Sequence, residues 1–120
     1  MQGGLACIPH PFDMRRTNSV NNQDIIKKAD LIEGFNSRVV NQAYNILAMD
    51  FAKKYSKPIT IGTDSHTRFE LGKSYIEIED FNSPKEFMKN LRNAEHMKAT
   101  NPRIYSIWTY LFYKGIGRFR

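Results

Sequence analysis

The sequence predicts an α/β fold with a mostly parallel, four-stranded sheet, and three observations carry that reading. Short apolar segments bounded by glycine or proline read as strands. Segments with apolar residues at helical spacing lie between them. The resulting strand–helix–strand–helix–strand order implies right-handed βαβ units and parallel pairing. With 120 residues, 41% of them hydrophobic, the chain can build one modest core, so residues 1–120 are read as a single domain.

Leu5-Ala6-Cys7-Ile8 follows two glycines and stops at Pro9-His10-Pro11. Its continuous apolar character predicts a first strand buried on both faces, with Cys7 as a core residue. The polar stretch Thr17–Asn22 leads into a short helix over 23–29, with Ile25 and Ile26 inward. A second strand covers 30–35. Asn36 or Ser37 is the candidate cap of the next helix, in which Val40, Ala43, Tyr44, Leu47 and Phe51 share one face. That helix ends near Tyr55, because Pro58 cannot continue it.

Ile59-Thr60-Ile61-Gly62-Thr63 is a third, β-branched strand. Ser74–Glu79 alternates with period two, so a fourth strand with one wet face is expected there. Ser83-Pro84-Lys85-Glu86 is a capping box with proline at the first helical position, opening a helix that runs to about Ala94. Asn101-Pro102 opens a last helix with Ile104, Ile107, Trp108 and Leu111 on one face and Gly115 as C-cap. That helix is read as packing its aromatic and aliphatic face on the sheet. Stacking on nucleic-acid bases or contact with a membrane surface is the functional alternative for this basic, aromatic tail, which continues through Arg118-Phe119-Arg120.

Eighteen Lys and Arg against twelve Asp and Glu give a net charge of +6. A pI near 9.6 raises the prospect of a phosphate-bearing partner. A mean hydropathy of −0.54 and the lack of a long apolar run argue against a transmembrane helix and a membrane partner. Residues 1–5 lack the basic-then-apolar layout of a signal peptide. A single cysteine excludes an internal disulfide framework and a Cys-based zinc cluster, and it suits a cytoplasmic protein.

In parallel α/β architectures, working groups collect at the C-terminal ends of strands. Here His10 follows the first strand, Glu33 closes the second, and Asp64 and His66 follow the third. Imidazole and carboxylate donors on one rim suit Zn²⁺, Mn²⁺ or Fe²⁺, and a metal there lowers the pKa of a bound water. The competing reading of Asp64-Ser65-His66 is a turn with a helix cap, and that of His10 is a surface turn residue. His96, near a helix end, is read as solvated surface. Lys27-Lys28 and Lys53-Lys54 are read as solvated helix faces.

These segments resemble motifs of the PHP (polymerase and histidinol phosphatase) superfamily. Residues 3–13, Gly-Gly-Leu-Ala-Cys-Ile-Pro-His-Pro-Phe-Asp, resemble its apolar strand followed by His-Pro. Asp30-Leu31-Ile32-Glu33-Gly34-Phe35-Asn36 resembles its D-x-I-E-x-x-N strand, and Gly62-Thr63-Asp64-Ser65-His66 its terminal G-S-D-[SA]-H motif. Leu71-Gly72-Lys73-Ser74-Tyr75 matches the lead into the next strand, so the resemblance is strongest over 3–94.

The resemblance implies a partial, distorted β/α barrel and a divalent-metal centre that hydrolyses phosphoric esters by a metal-bound hydroxide. By position it implies His10, Asp64 and His66 as metal ligands and Glu33 as a residue near the site. The family's H-x-H motif and further acidic and histidine ligands have no counterpart here. The resemblance therefore reaches only the C-terminal half of the domain, and it implies a truncated, weakly active or inactive part. Incomplete barrel edges would expose Leu5, Ile8 and Ile61 and invite self-association.

Arg38 and Arg68 lie just beyond strand ends and are the candidate phosphate contacts, ahead of Arg15 and Arg16; the alternative is rim arginines that solvate the surface. Two classes of function remain. One is a metal-dependent phosphoesterase acting on a phosphate-bearing small molecule or nucleotide. The other is a basic nucleic-acid-binding α/β module without catalysis. A PHP segment with a purely structural role is the third possibility.

Overall fold

The computed structural model describes residues 3–16, 20 and 22–116. In chain order the elements are β1 (Cys7–Ile8), α1 (Gln23–Lys28), β2 (Leu31–Asn36), α2 (Ala43–Lys54), β3 (Ile59–Gly62), β4 (Tyr75–Glu77), α3 (Pro84–Leu91), β5 (Glu95–Met97) and α4 (Arg103–Ile116). The first three strands form a parallel sheet in the order β1-β2-β3. β4 does not join it. It pairs antiparallel with β5, which corrects the expected four-stranded sheet, and no barrel forms among the described residues. The reason lies in β4 itself: Tyr75 and Glu77 are exposed and only Ile76 faces inward, a one-sided pattern suited to an antiparallel pair with a wet face.

The core gathers where α1 and α2 meet β2. Ile26, Ile32, Phe51 and Ala52 are buried together, with Ile8, Phe12, Val20, Tyr55 and Ile59 packed against them. Asn22 caps α1 by accepting from the backbone N–H groups of Asp24 and Ile25. Ile26 is fully buried, but Ile25 is 50% exposed, so only one of the two expected inward isoleucines points into the core. Neither Asn36 nor Ser37 caps α2; Gln42 stands at its N-cap without a side-chain bond. The buried face of α2 is Asn45, Ala48, Phe51 and Ala52, whereas Ala43 is exposed and Leu47 is half out. Asn45 accounts for that rotation, because its amide is engaged inside by Asn36.

The edge strand β1 is short, with Leu5 and Cys7 exposed rather than buried, so Cys7 is not a core residue. At the other edge Ile61 is buried and at β1 Ile8 is half-buried, against the expectation that both would be bared. The capping box at Ser83 forms as expected, with Ser83 Oγ accepting from Glu86 N and Glu86 accepting from Asn82 N, but α3 ends at Leu91. His96 lies in β5, not near a helix end, and its Nε2 is buried. α4 continues to Ile116, so Gly115 is not its C-cap. Its expected inner face is bare: Ile104, Ile107, Trp108 and Leu111 are all more than half exposed. Met1-Gln2, residues 17–19 and 21, and the Arg118–Arg120 tail lie outside the described residues.

The β2–β3 register shifts between Glu33 and Phe35, a bulge that falls on Gly34. A Cβ at Gly34 would stand 2.9 Å from Ile59 Cβ, a branch point that cannot swing aside. Gly34→Ala is therefore expected to cost about 1–3 kcal/mol through overpacking. Ile26→Ala, at a fully buried site, is expected to cost about 2–5 kcal/mol. Urea unfolding followed by circular dichroism checks both, and an unshifted midpoint in Gly34→Ala would show that the bulge accepts a side chain.

Candidate functional site

In a regular strand residues i and i+3 point to opposite faces, but the extra residue at Gly34 brings Glu33 and Asn36 to the same side. Asn36 Nδ2 donates to Glu33 Oε2 at 3.0 Å and to Asp64 Oδ2 at 3.2 Å. Glu33 Oε2 also accepts the backbone N–H of His10 at 2.6 Å. The C-terminal ends of all three parallel strands are thus joined through two carboxylates and one buried amide. Gly62 makes room for this, since a Cβ there would sit 1.9 Å from Glu33 Oε1.

His10, Phe12 and Asp64 adopt left-handed backbone conformations (φ 31°, 71° and 50°), which are uncommon for residues with a side chain. Such strain persists where the surroundings over-determine it. Phe12 is held by its ring contact with Phe51, and Asp64 by Asn36 and Arg16. Asp64 Oδ1 lies 3.4 Å from His66 Nε2, so these two side chains converge. Partial burial pushes the Asp64 carboxyl upward. The Arg16 guanidinium and the Asn36 amide outweigh that effect, and the net position is below the ordinary carboxylate range.

Glu70, fully buried, anchors the segment that carries His66. One oxygen accepts the backbone N–H groups of His66 and Thr67 at 2.9 and 2.8 Å and the Thr67 hydroxyl at 3.0 Å. The other accepts Arg38 Nη1 at 2.6 Å and Asn101 Nδ2 at 3.3 Å. Burial alone would raise this carboxyl, but the His66 N–H, the Thr67 groups and Arg38 hold it below its usual range. Ser74 ties the β4–β5 unit in, accepting from Ala99 N and contacting Ser37 Oγ at 2.7 Å.

The structure brings together Glu33, Asp64, His66 and the backbone of His10, but Glu33 lies inside β2 instead of closing it, and His10 joins through its N–H rather than its imidazole. Arg38 is buried against Glu70 rather than aimed outward, and Arg68 is exposed with its guanidinium 4.8 Å from the Phe69 ring. The site roles of Asn36 and Glu70 are not legible as such in the sequence, and Arg16 is there only a lesser candidate phosphate contact. The available signal for the first was Gly34, a glycine inside an apolar strand and hence a candidate bulge. Glu70, an acid between Phe69 and Leu71, carries no local mark of burial.

A divalent ion is the cofactor implied by the motifs. Among the described residues no group of three or more His, Cys, Asp or Glu side chains could hold one. Asp64 and His66 offer two donors, while Glu33 Oε2 and Asp64 Oδ2 are already occupied by protein donors. This donor set does not fit a closed metal centre.

Residues 42–95 match the family model described as PHP-associated. Asp64 and His66 lie within that stretch, whereas His10 and Glu33 precede it. The chain is also similar to an uncharacterized protein of Methanocaldococcus jannaschii, 30% identical over 129 residues, an alignment that takes in 95% of this chain and 54% of the relative. The chain thus spans about half the length of the curated relative it matches. No solved structure matches it.

Glu70→Gln leaves the Arg38 guanidinium buried without its counter-charge and is expected to cost about 3 kcal/mol or more at neutral pH. The sign with pH follows from the lowered carboxyl. Stability contributed by Glu70 is complete above its ordinary value of about 4.5 and is lost as pH falls through the lower folded value. Urea midpoints taken from about pH 6 to about pH 3 should fall less steeply in Glu70→Gln than in the wild type. Parallel curves would remove Glu70 as the titrating anchor.

Proposed function

We propose that this chain is one part of a PHP-type phosphoesterase, the part that carries Asp64 and His66, and that it acts on a phosphate-bearing small molecule or nucleotide only weakly or not at all by itself. The observation that carries this reading is the convergence of Asp64 on His66 at the C-terminal end of β3, inside the stretch that matches the PHP-associated family. Glu33 and His10 stand beside them through Asn36 and the His10 N–H. In this reading the open three-stranded parallel sheet belongs to a distorted β/α barrel, and its unpaired edges at β1 and β3 are where further strands or a second copy would pair. His10, Asp64 and His66 are this chain's share of the metal ligands, and donors beyond the described residues complete the site.

Hydrolysis by the chain alone would lack the full neutralisation of the phosphoryl group that such chemistry needs. A nucleic-acid-binding module fits less well, because two of the rim arginines are engaged within the protein: Arg16 on Asp64 and Asp13, Arg38 on Glu70.

Equilibrium dialysis against Mn²⁺ or Zn²⁺, with p-nitrophenyl phosphate hydrolysis measured alongside, tests the reading. Expected are weak metal binding that disappears in an Asp64→Ala/His66→Ala variant and turnover close to the buffer rate. Metal binding that survives in the double variant would sink the assignment of these ligands. Tight, stoichiometric metal with rapid turnover would sink the idea that the chain is only a part. Oligonucleotide binding that falls steeply with salt and persists in the double variant would favour the nucleic-acid reading instead.

A further inference from the structure

Arg16 is paired at the rim with two carboxylates. Arg16 Nε donates to Asp13 Oδ2 at 3.2 Å, and Arg16 Nη2 donates to Asp64 Oδ2. Asp13 is almost fully buried and is fixed in turn by the Arg15 N–H at 3.2 Å. Asp64 is fixed by Asn36, which is also buried. Both carboxylates are therefore held before Arg16 arrives, so the pair is unlike a loose surface ion pair, which loses most of its value to side-chain ordering and solvent. Asp64 and Arg16 are themselves partly buried, which weakens screening by salt.

The geometry points to Arg16 as the built-in counter-cation of Asp64, a guanidinium that competes with a divalent ion for that carboxylate. Asp64 presents Oδ2 to Arg16 and Oδ1 to His66. An ion seated between Asp64 and His66 would meet a carboxylate whose charge is already balanced. Asp13, Glu33 and Asp64 supply three carboxylates to this rim, and Arg16 touches two of them. Neutralising Arg16 exposes the whole anionic field to an incoming cation. The part of this inference that concerns a metal rests on the proposed function; the ion pairing itself does not.

Arg16→Gln, Asp64→Asn and the double variant separate the two parts. Arg16→Gln keeps a polar side chain and removes the charge. Without metal, each single variant is expected to lower the urea midpoint, and the double variant to lose less than the sum of the two single losses, because either single variant already breaks the Arg16–Asp64 pair. With Mn²⁺, followed by the electron paramagnetic resonance signal of the free ion, Arg16→Gln is expected to bind about tenfold more tightly than the wild type, and the double variant is expected to lose that gain. Additive stability losses, or an Mn²⁺ affinity that Arg16→Gln leaves unchanged, would overturn the counter-cation. A wild type that binds no Mn²⁺ beside an Arg16→Gln protein that does would support the counter-cation and count against the proposed function. Additive losses beside intact Mn²⁺ binding in the wild type would do the reverse.

Discussion

Asn36 is the point at which the strand ends become one structure. Its Nδ2 donates to Glu33 and Asp64, its side-chain Oδ1 accepts the Arg38 N–H, and its own backbone is paired with the Asn45 side chain from α2. A buried amide that lost these partners would carry a full desolvation cost, so its presence dictates where its neighbours sit. It can reach Glu33 only because the bulge at Gly34 reverses the normal alternation of the strand. The close approach of Glu33 to β3 then requires glycine at position 62. Backbone irregularity, small residues and the polar network are in this sense one feature.

The charge of the molecule is distributed in a way that its total conceals. A net +6 predicts an open cationic surface, yet Arg16 and Arg38 face carboxylates at the rim, and Glu70 is enclosed by donors. The local field around Asp13, Glu33 and Asp64 is anionic. That arrangement leaves Asp64 paired with Arg16 on one oxygen and turned toward His66 with the other. It differs from the arginine-lined phosphate cradle that arginines following each strand imply on paper. Some of the remaining positive charge lies on helix surfaces: Lys27 and Lys54 lie over the Tyr55 ring.

Apolar surface is arranged with the same indifference to simple pattern. α2 turns Ile46 and Leu47 outward because Asn45 must face Asn36, and α4 leaves a stripe of isoleucine, tryptophan and leucine uncovered. Helical periodicity states which residues share a face, and it states nothing about whether another element is present to cover that face. The chain spans about half of the relative it resembles, and the elements described here bury one core between α1, α2 and β2. Among the described residues no helix is long and apolar enough to cross a membrane.

Local rules in the sequence determined much on their own. The parallel order of the first three strands, the Ser83 helix start, the stop before Pro58 and the placement of His10, Asp64 and His66 just beyond strand ends all follow from propensity, breakers and chain direction, whereas Glu33 lies inside β2 rather than closing it. Of the motifs read from the sequence, Gly62–His66 falls within residues 42–95, the stretch that matches the PHP-associated family model. The tertiary structure decided what local rules do not encode. It decided that β4 leaves the sheet for β5, that the apolar face of α4 at Ile104, Ile107, Trp108 and Leu111 stays exposed, that Asn36 links the carboxylates instead of capping α2, and that Arg16 and Arg38 are tied to acids distant in sequence. Each of those outcomes depends on which groups meet across the fold, and partner identity at long range is set by packing and charge satisfaction rather than by the sequence on either side.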